Sequence, residues 1–114
     1  MAETDGKLVR DRIAEIILDS GVEPVTYVAE PEEYSRRLRD KLREEVTEFF
    51  MADEASPSDE RADLLPEELA DILEVVRALA MDVGSSVEQV EAIRVTKAKE
   101  RGGFADRIVW TGNL

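Results

Sequence analysis

Leu38-Arg39-Asp40-Lys41-Leu42-Arg43-Glu44-Glu45-Val46-Thr47-Glu48-Phe49 has the periodicity of a helix whose apolar stripe is broken by an acid. At about 100° per residue, Leu38, Leu42 and Phe49 share one side, and Glu45 falls about 20° from Leu38, inside that stripe. Glu48 lies at one edge of it and Glu44 a little further round. One loop later comes Glu68-Leu69-Ala70-Asp71. There Leu69, Ile72, Val76, Leu79 and Val83 define a broad apolar arc, with Glu68 inside it and Asp71 at its border beside Val75. Each anomalous acid therefore has a second acid three residues away, the spacing at which two side chains project from one helical face.

A carboxylate is costly to bury unless it is paired or bound to a cation. Two such pairs on antiparallel helices converge on a volume the size of one or two cations. An all-oxygen donor set suits a hard cation, foremost Mg2+, and Mg2+ sites of this kind commonly hold phosphates. The pattern points to Mg2+-dependent hydrolysis of a nucleotide polyphosphate. Two other readings compete: a solvated acidic helix face, and a groove at a subunit contact where the acids meet Arg residues.

Working outward, the chain reads as four helices of unequal length. Lys7 to Ser20 forms the first, with Leu8, Ile13, Ile16 and Ile17 on one side and Gly21 as its stop. Residues 22–29 are a connector. The second helix starts near Pro31, with Glu32 and Glu33 favourable in its first turn, and runs to about Ala52. The Ser-, Asp- and Pro-bearing stretch 53–63 reads as a flexible loop. Pro66 opens the third helix, which runs to about Val83. Ser86 caps a fourth that carries Val87, Val90 and Ile93 and ends at Arg101-Gly102-Gly103. The tail from Phe104 to Leu114, with Trp110, is expected to pack across the bundle. The predicted architecture is a single all-α domain over 1–114, of four-helix-bundle type with a central antiparallel helix hairpin.

Composition narrows the function. With 15 Lys+Arg against 27 Asp+Glu, the net charge of −12 argues against a duplex nucleic-acid binder and against an anionic membrane surface. An acidic protein can still bind a polyphosphate where metal ions reverse the local field. Without Cys or His, the chain has no disulfides, thiol nucleophiles or imidazole bases, so acid–base chemistry falls to carboxylates, Lys, Tyr or metal-bound water. The acidic N-terminus, Met1 to Gly6, carries no apolar signal stretch, and no apolar run reaches membrane-spanning length; the expected location is the cytoplasm.

Arg94, Lys97 and Arg101 recur at three- and four-residue spacing on the fourth helix. They read either as a clamp on phosphate oxygens or as cations favoured near a helix C-terminus. Lys7-Leu8-Val9-Arg10-Asp11-Arg12 adds cations near the N-terminus, where Arg10 and Asp11 cannot both face the core and an ion pair to another helix is expected. Gly102-Gly103 is not a P-loop, because no GK[ST] follows it.

Glu44-Glu45-x-x-Glu48 followed after a gap by Glu68-x-x-Asp71 resembles the EExxE…ExxD signature of the all-α, MazG-like nucleotide pyrophosphohydrolases. The flanks Lys7-Leu8-Val9-Arg10-Asp11-Arg12-Ile13 and Lys97-Ala98-Lys99-Glu100-Arg101-Gly102-Gly103-Phe104 are similar to the small, phosphoribosyl-ATP pyrophosphohydrolase-like branch, so the likeness covers nearly the whole chain. Ala14 departs from it where Pro is expected. The resemblance implies hydrolysis of a nucleoside triphosphate between the α and β phosphates, giving monophosphate and pyrophosphate, in the manner of a nucleotide-pool house-cleaning enzyme. It implies Glu45, Glu48, Glu68 and Asp71 as ligands of Mg2+, with Mn2+ as a substitute. Glu44 would be a further ligand or the group that orients or deprotonates the attacking water. Lys97 and Arg101, with Arg94 beside them, would contact the polyphosphate. It also implies a homodimer or homotetramer, because the family's bundle usually forms between chains.

Alternatives of two kinds stay beside this reading. One is phosphoribosyl-ATP hydrolysis. The other is a non-catalytic acidic helical module that binds a partner or senses nucleotide. Tyr27, Tyr34 and Trp110 are each candidates for recognising the base.

Overall fold

The computed structural model describes residues 6–114, and its regular elements are four helices, with no strand among the described residues. They are α1 (Ile13–Asp19), α2 (Pro31–Ala55), α3 (Ser58–Asp82) and α4 (Val87–Arg101). The expectation that Met1 to Gly6 carries no signal stretch falls, but for Gly6, outside the described residues. Among the described residues no helix is long and apolar enough to cross a membrane.

α2 begins where the sequence places it. Pro31 sits at its start and Glu32 and Glu33 in its first turn, at the positive end of the helix dipole. Tyr27 donates its hydroxyl hydrogen to Glu33, and Arg37 pairs with the same carboxylate at 2.6 Å, which ties the connector to α2. Both contacts, the Tyr27 hydrogen bond first, hold the Glu33 carboxyl below its ordinary range. α4 is capped as expected: Ser86 Oγ accepts the Gln89 backbone N–H at 3.0 Å, and Gly102 ends the helix at φ 83°.

Three expectations need correction. The loop predicted over 53–63 is mostly helical: α2 continues to Ala55 and α3 starts at Ser58, leaving only Ser56-Pro57 between them. Asp59 and Glu60 occupy the first turn of α3, where acids are favourable, and Arg61 bridges the corner to Asp53 at 3.8 Å. Pro66 consequently lies inside α3 rather than opening it. The first helix is shorter than predicted, because residues 7–10 have no regular structure and Arg10 reaches across to α3. The tail does not pack across the helices: Phe104, Ile108, Val109 and Trp110 are exposed. Trp110 Nε1 donates instead to Gly112 O and Asn113 Oδ1 within the tail itself.

α2 and α3 carry the main helix–helix contact, and α4 packs on α3. The start of α2 meets the end of α3, with Ser35 Oγ at 2.8 Å and Arg39 at 2.9 Å from Asp82. The end of α2 meets the start of α3 through Asp53 and Arg61. Among the described residues, Leu38, Val75 and Ala80 are the buried apolar ones, joined by one acid, Glu45. This is a thin core. The chain exposes 9735 Å2, where a compact monomer of this mass exposes about 6,300 Å2. Its radius of gyration is 18.3 Å, against about 13 Å for a compact chain of this length.

Candidate metal centre

The buried line between α2 and α3 passes from aliphatic to acidic side chains. Leu38 is 3% exposed, and Glu45, two turns further along α2, is 7% exposed. On α3, Val75 is buried and Asp71, one turn before it, is half-buried, as is Glu68. Glu44 and Glu48 are half-buried beside Glu45. The helical spacing places these acids on the facing sides of the two helices, so that they meet where each would otherwise contribute Leu.

The carboxylates form two overlapping groups. Glu44, Glu45 and Glu48 offer oxygens within 4.8 Å of one another, and so do Glu45, Glu68 and Asp71, with Glu45 common to both. Octahedral Mg2+ with oxygens at about 2.1 Å sets neighbouring donors about 3 Å apart and opposite donors about 4.2 Å apart. The donor set is carboxylate throughout, which suits a hard divalent cation and not a thiophilic one. These residues fit such an ion.

The electrostatics point the same way. Burial, and then the neighbouring charge of Glu48, raises the Glu45 carboxyl above its ordinary range, with Asp71 adding to the effect and Lys41 opposing it. Burial also raises Glu68, helped by Glu48, Asp71 and Glu45. The acids are thus close enough to repel one another, the condition a cation relieves.

Three cations of the chain partly neutralise the cluster. Lys41 lies 3.3 Å from Glu44 and 3.5 Å from Glu45, Lys7 lies 3.7 Å from Glu44, and Arg10 Nη2 donates to Asp71 Oδ1 at 2.6 Å. With every group ionised, the five carboxylates of the cluster pair with three cations among the described residues, an imbalance of two charges that one divalent ion cancels. Lys41 was not among the sequence candidates, although its spacing of three and four residues from Glu44 and Glu45 is the signal for such pairs. The ion pair expected of Arg10 is present, and its partner is Asp71.

An open cleft of about 430 Å3 adjoins the cluster. Residues 8–12 line it together with Tyr34, Leu38, Lys41, Glu45, Asp71 and Val75, among others. Tyr34 is the aromatic candidate that the structure brings to this cleft. Tyr27 is held by Glu33, and Trp110 lies in the exposed tail. Arg94, Lys97 and Arg101 are not brought to it: all three are exposed on α4, and Arg94 pairs with Glu91 at 2.6 Å. Among the described residues the cleft's cations come from the N-terminal arm and α2.

No family model, curated protein or solved structure matches the chain.

Proposed function

We propose that the chain is a Mg2+-dependent nucleotide pyrophosphohydrolase that cleaves a nucleoside triphosphate between its α and β phosphates. The observation that carries this reading is the buried Glu45, shared by two carboxylate groups between α2 and α3, beside a cleft that Glu45 and Asp71 line. Glu45, Glu48, Glu68 and Asp71 would hold Mg2+. When bound, Mg2+ polarises the phosphoryl oxygens, lowers the pKa of water and neutralises the leaving pyrophosphate. Glu44, half-buried beside Glu45, would orient a water and take its proton as the water oxygen attacks the α phosphorus. The bridging oxygen leaves with pyrophosphate. Neither a Cys nor a His is needed. Tyr34, which lines the cleft, would stack on a nucleobase.

The thin core and large accessible surface support at least a homodimer, in which two α2–α3 antiparallel hairpins complete a four-helix bundle. Leu69, Leu73 and Met81, exposed along α3, are the surface such a partner would cover.

A second reading has its own support. Neutralisation of Glu44, Glu45 and Asp71 by Lys7, Lys41 and Arg10 is what a non-catalytic helical module would show, with the acids serving only as charge.

The two readings differ in how heat stability responds to pH and Mg2+. Glu45 and Glu68 are raised above an ordinary value of 4.5, so the folded protein binds more protons than the unfolded chain in the window above that value. Their contribution to stability is complete below it and is lost as pH climbs towards the folded values. Glu33 and Asp82 are lowered, so their contributions are lost only on acidification below 4.5 and 3.8. In the metal-free wild type, Tm is therefore expected to fall as pH rises from about 4.5 towards neutrality, relative to Glu45→Gln. Saturating Mg2+ should recover about 3 kcal/mol at a hundredfold excess over Kd, in wild type and not in Glu45→Gln. Calorimetric melts across pH check both. A Tm indifferent to Mg2+ at every pH favours the module.

A further inference from the structure

Arg10 lies on the arm of residues 7–10, which has no regular structure, and its guanidinium reaches Asp71 on α3, both residues lining the cleft. Its neighbours are engaged elsewhere or more distant. Arg12 folds back on Glu15 of α1 at 3.3 Å, and Lys7 reaches Glu44 only at 3.7 Å. The Arg10–Asp71 pair is short but open to solvent, with the two side chains 57% and 41% exposed. Exposed ion pairs of this kind contribute little to stability and are easily exchanged. A guanidinium is also a better partner for a polyphosphate than for a single carboxylate oxygen, since its planar fork binds phosphate oxygens in pairs.

We propose that Arg10 is a phosphate-binding residue that rests on Asp71 in the free protein and moves to the polyphosphate when a divalent cation takes Asp71. This rests on the pyrophosphohydrolase reading of the site and assigns it a substrate contact that the α4 cations do not supply within a protomer. The exchange conserves charge pairing at each stage. Without ligand, Arg10 neutralises one acid and repels an incoming cation. With metal and polyphosphate together, the cation meets Asp71 and Arg10 meets the anion. Metal binding and polyphosphate binding thereby favour one another, and the acidic cluster holds cations weakly until the substrate arrives.

The test uses the full chain as wild type, Arg10→Gln, Arg10→Lys and Arg43→Gln. Arg43 pairs with Asp40 at 3.0 Å on the exposed side of α2, so its loss removes the same charge away from the cleft. Mn2+ binding to the free protein is read by the resonance of unbound Mn2+. Binding of inorganic pyrophosphate at saturating Mg2+ is read by calorimetry. Arg10→Gln should bind Mn2+ about three- to tenfold more tightly and pyrophosphate about tenfold more weakly than wild type. Arg10→Lys should keep the wild-type Mn2+ affinity and recover part of the pyrophosphate affinity, and Arg43→Gln should match wild type in both. Unchanged affinities in Arg10→Gln, or a loss in both, would overturn the exchange while leaving the metal site standing. A wild type that binds neither Mn2+ nor pyrophosphate would overturn the site reading, and the exchange with it.

Discussion

Replacing Glu45 or Glu68 by Gln is expected to reduce turnover by at least about two orders of magnitude while the protein stays folded. Each substitution keeps the shape of the side chain and removes a charge from a cluster in which the acids raise one another. In the metal-free state that removal is a relief, so Tm is expected to rise in Glu45→Gln. The combination of lost activity and a higher metal-free Tm separates a metal ligand from an ordinary structural acid. A buried acid held only by Lys41 would lose stability on substitution, because its partner would be left unpaired. Steady-state kinetics beside melts without metal read both quantities. Full turnover in both variants would remove these residues from the metal centre.

Leu73→Glu should dissociate the assembly and abolish activity at micromolar concentration. Leu73 is 63% exposed on α3, between Leu69 and Met81, in a protomer whose buried apolar residues are few. Burying a Leu contributes about 2 kcal/mol, and a two-fold interface loses the residue twice, so the variant forgoes about 4 kcal/mol before the desolvation of the new carboxylate is counted. Sedimentation should show wild type as a dimer or larger and the variant as a monomer with a much lower Tm. An unchanged mass for the variant would place the interface on another face. A monomeric wild type would contradict the bundle proposed between chains.

The acidic half of the candidate site was legible because helical phase alone marks Glu45 and Glu68 as misplaced, and no knowledge of the partner helix is needed for that. Burial of Glu45 and the convergence of both acidic pairs follow from the same arithmetic. The cationic half was not legible. Arg10 and Asp71 are 61 residues apart, and nothing local to either one names the other. Lys41 carried a local signal, its spacing to Glu44 and Glu45, which the acids themselves overshadowed. The basic spacing on α4 drew attention to Arg94, Lys97 and Arg101, but an amphipathic pattern does not say which face meets the cleft. In the fold, the stretch 53–63 reads as a loop and Pro66 as the start of a helix. The structure confines the loop to two residues, because Ser58, Asp59 and Glu60 also make a good helix start. The exposed tail had the composition of a packed segment, and its apolar residues find no covering surface within one protomer.

The most direct measurement is product analysis with the purified wild-type protein, Mg2+, and a panel of ribo- and deoxyribonucleoside triphosphates that includes dUTP and phosphoribosyl-ATP. The account predicts nucleoside monophosphate and pyrophosphate in equal amounts from at least one of them, abolished by chelation of the metal. Diphosphate with inorganic phosphate, or no turnover with either Mg2+ or Mn2+, would contradict it.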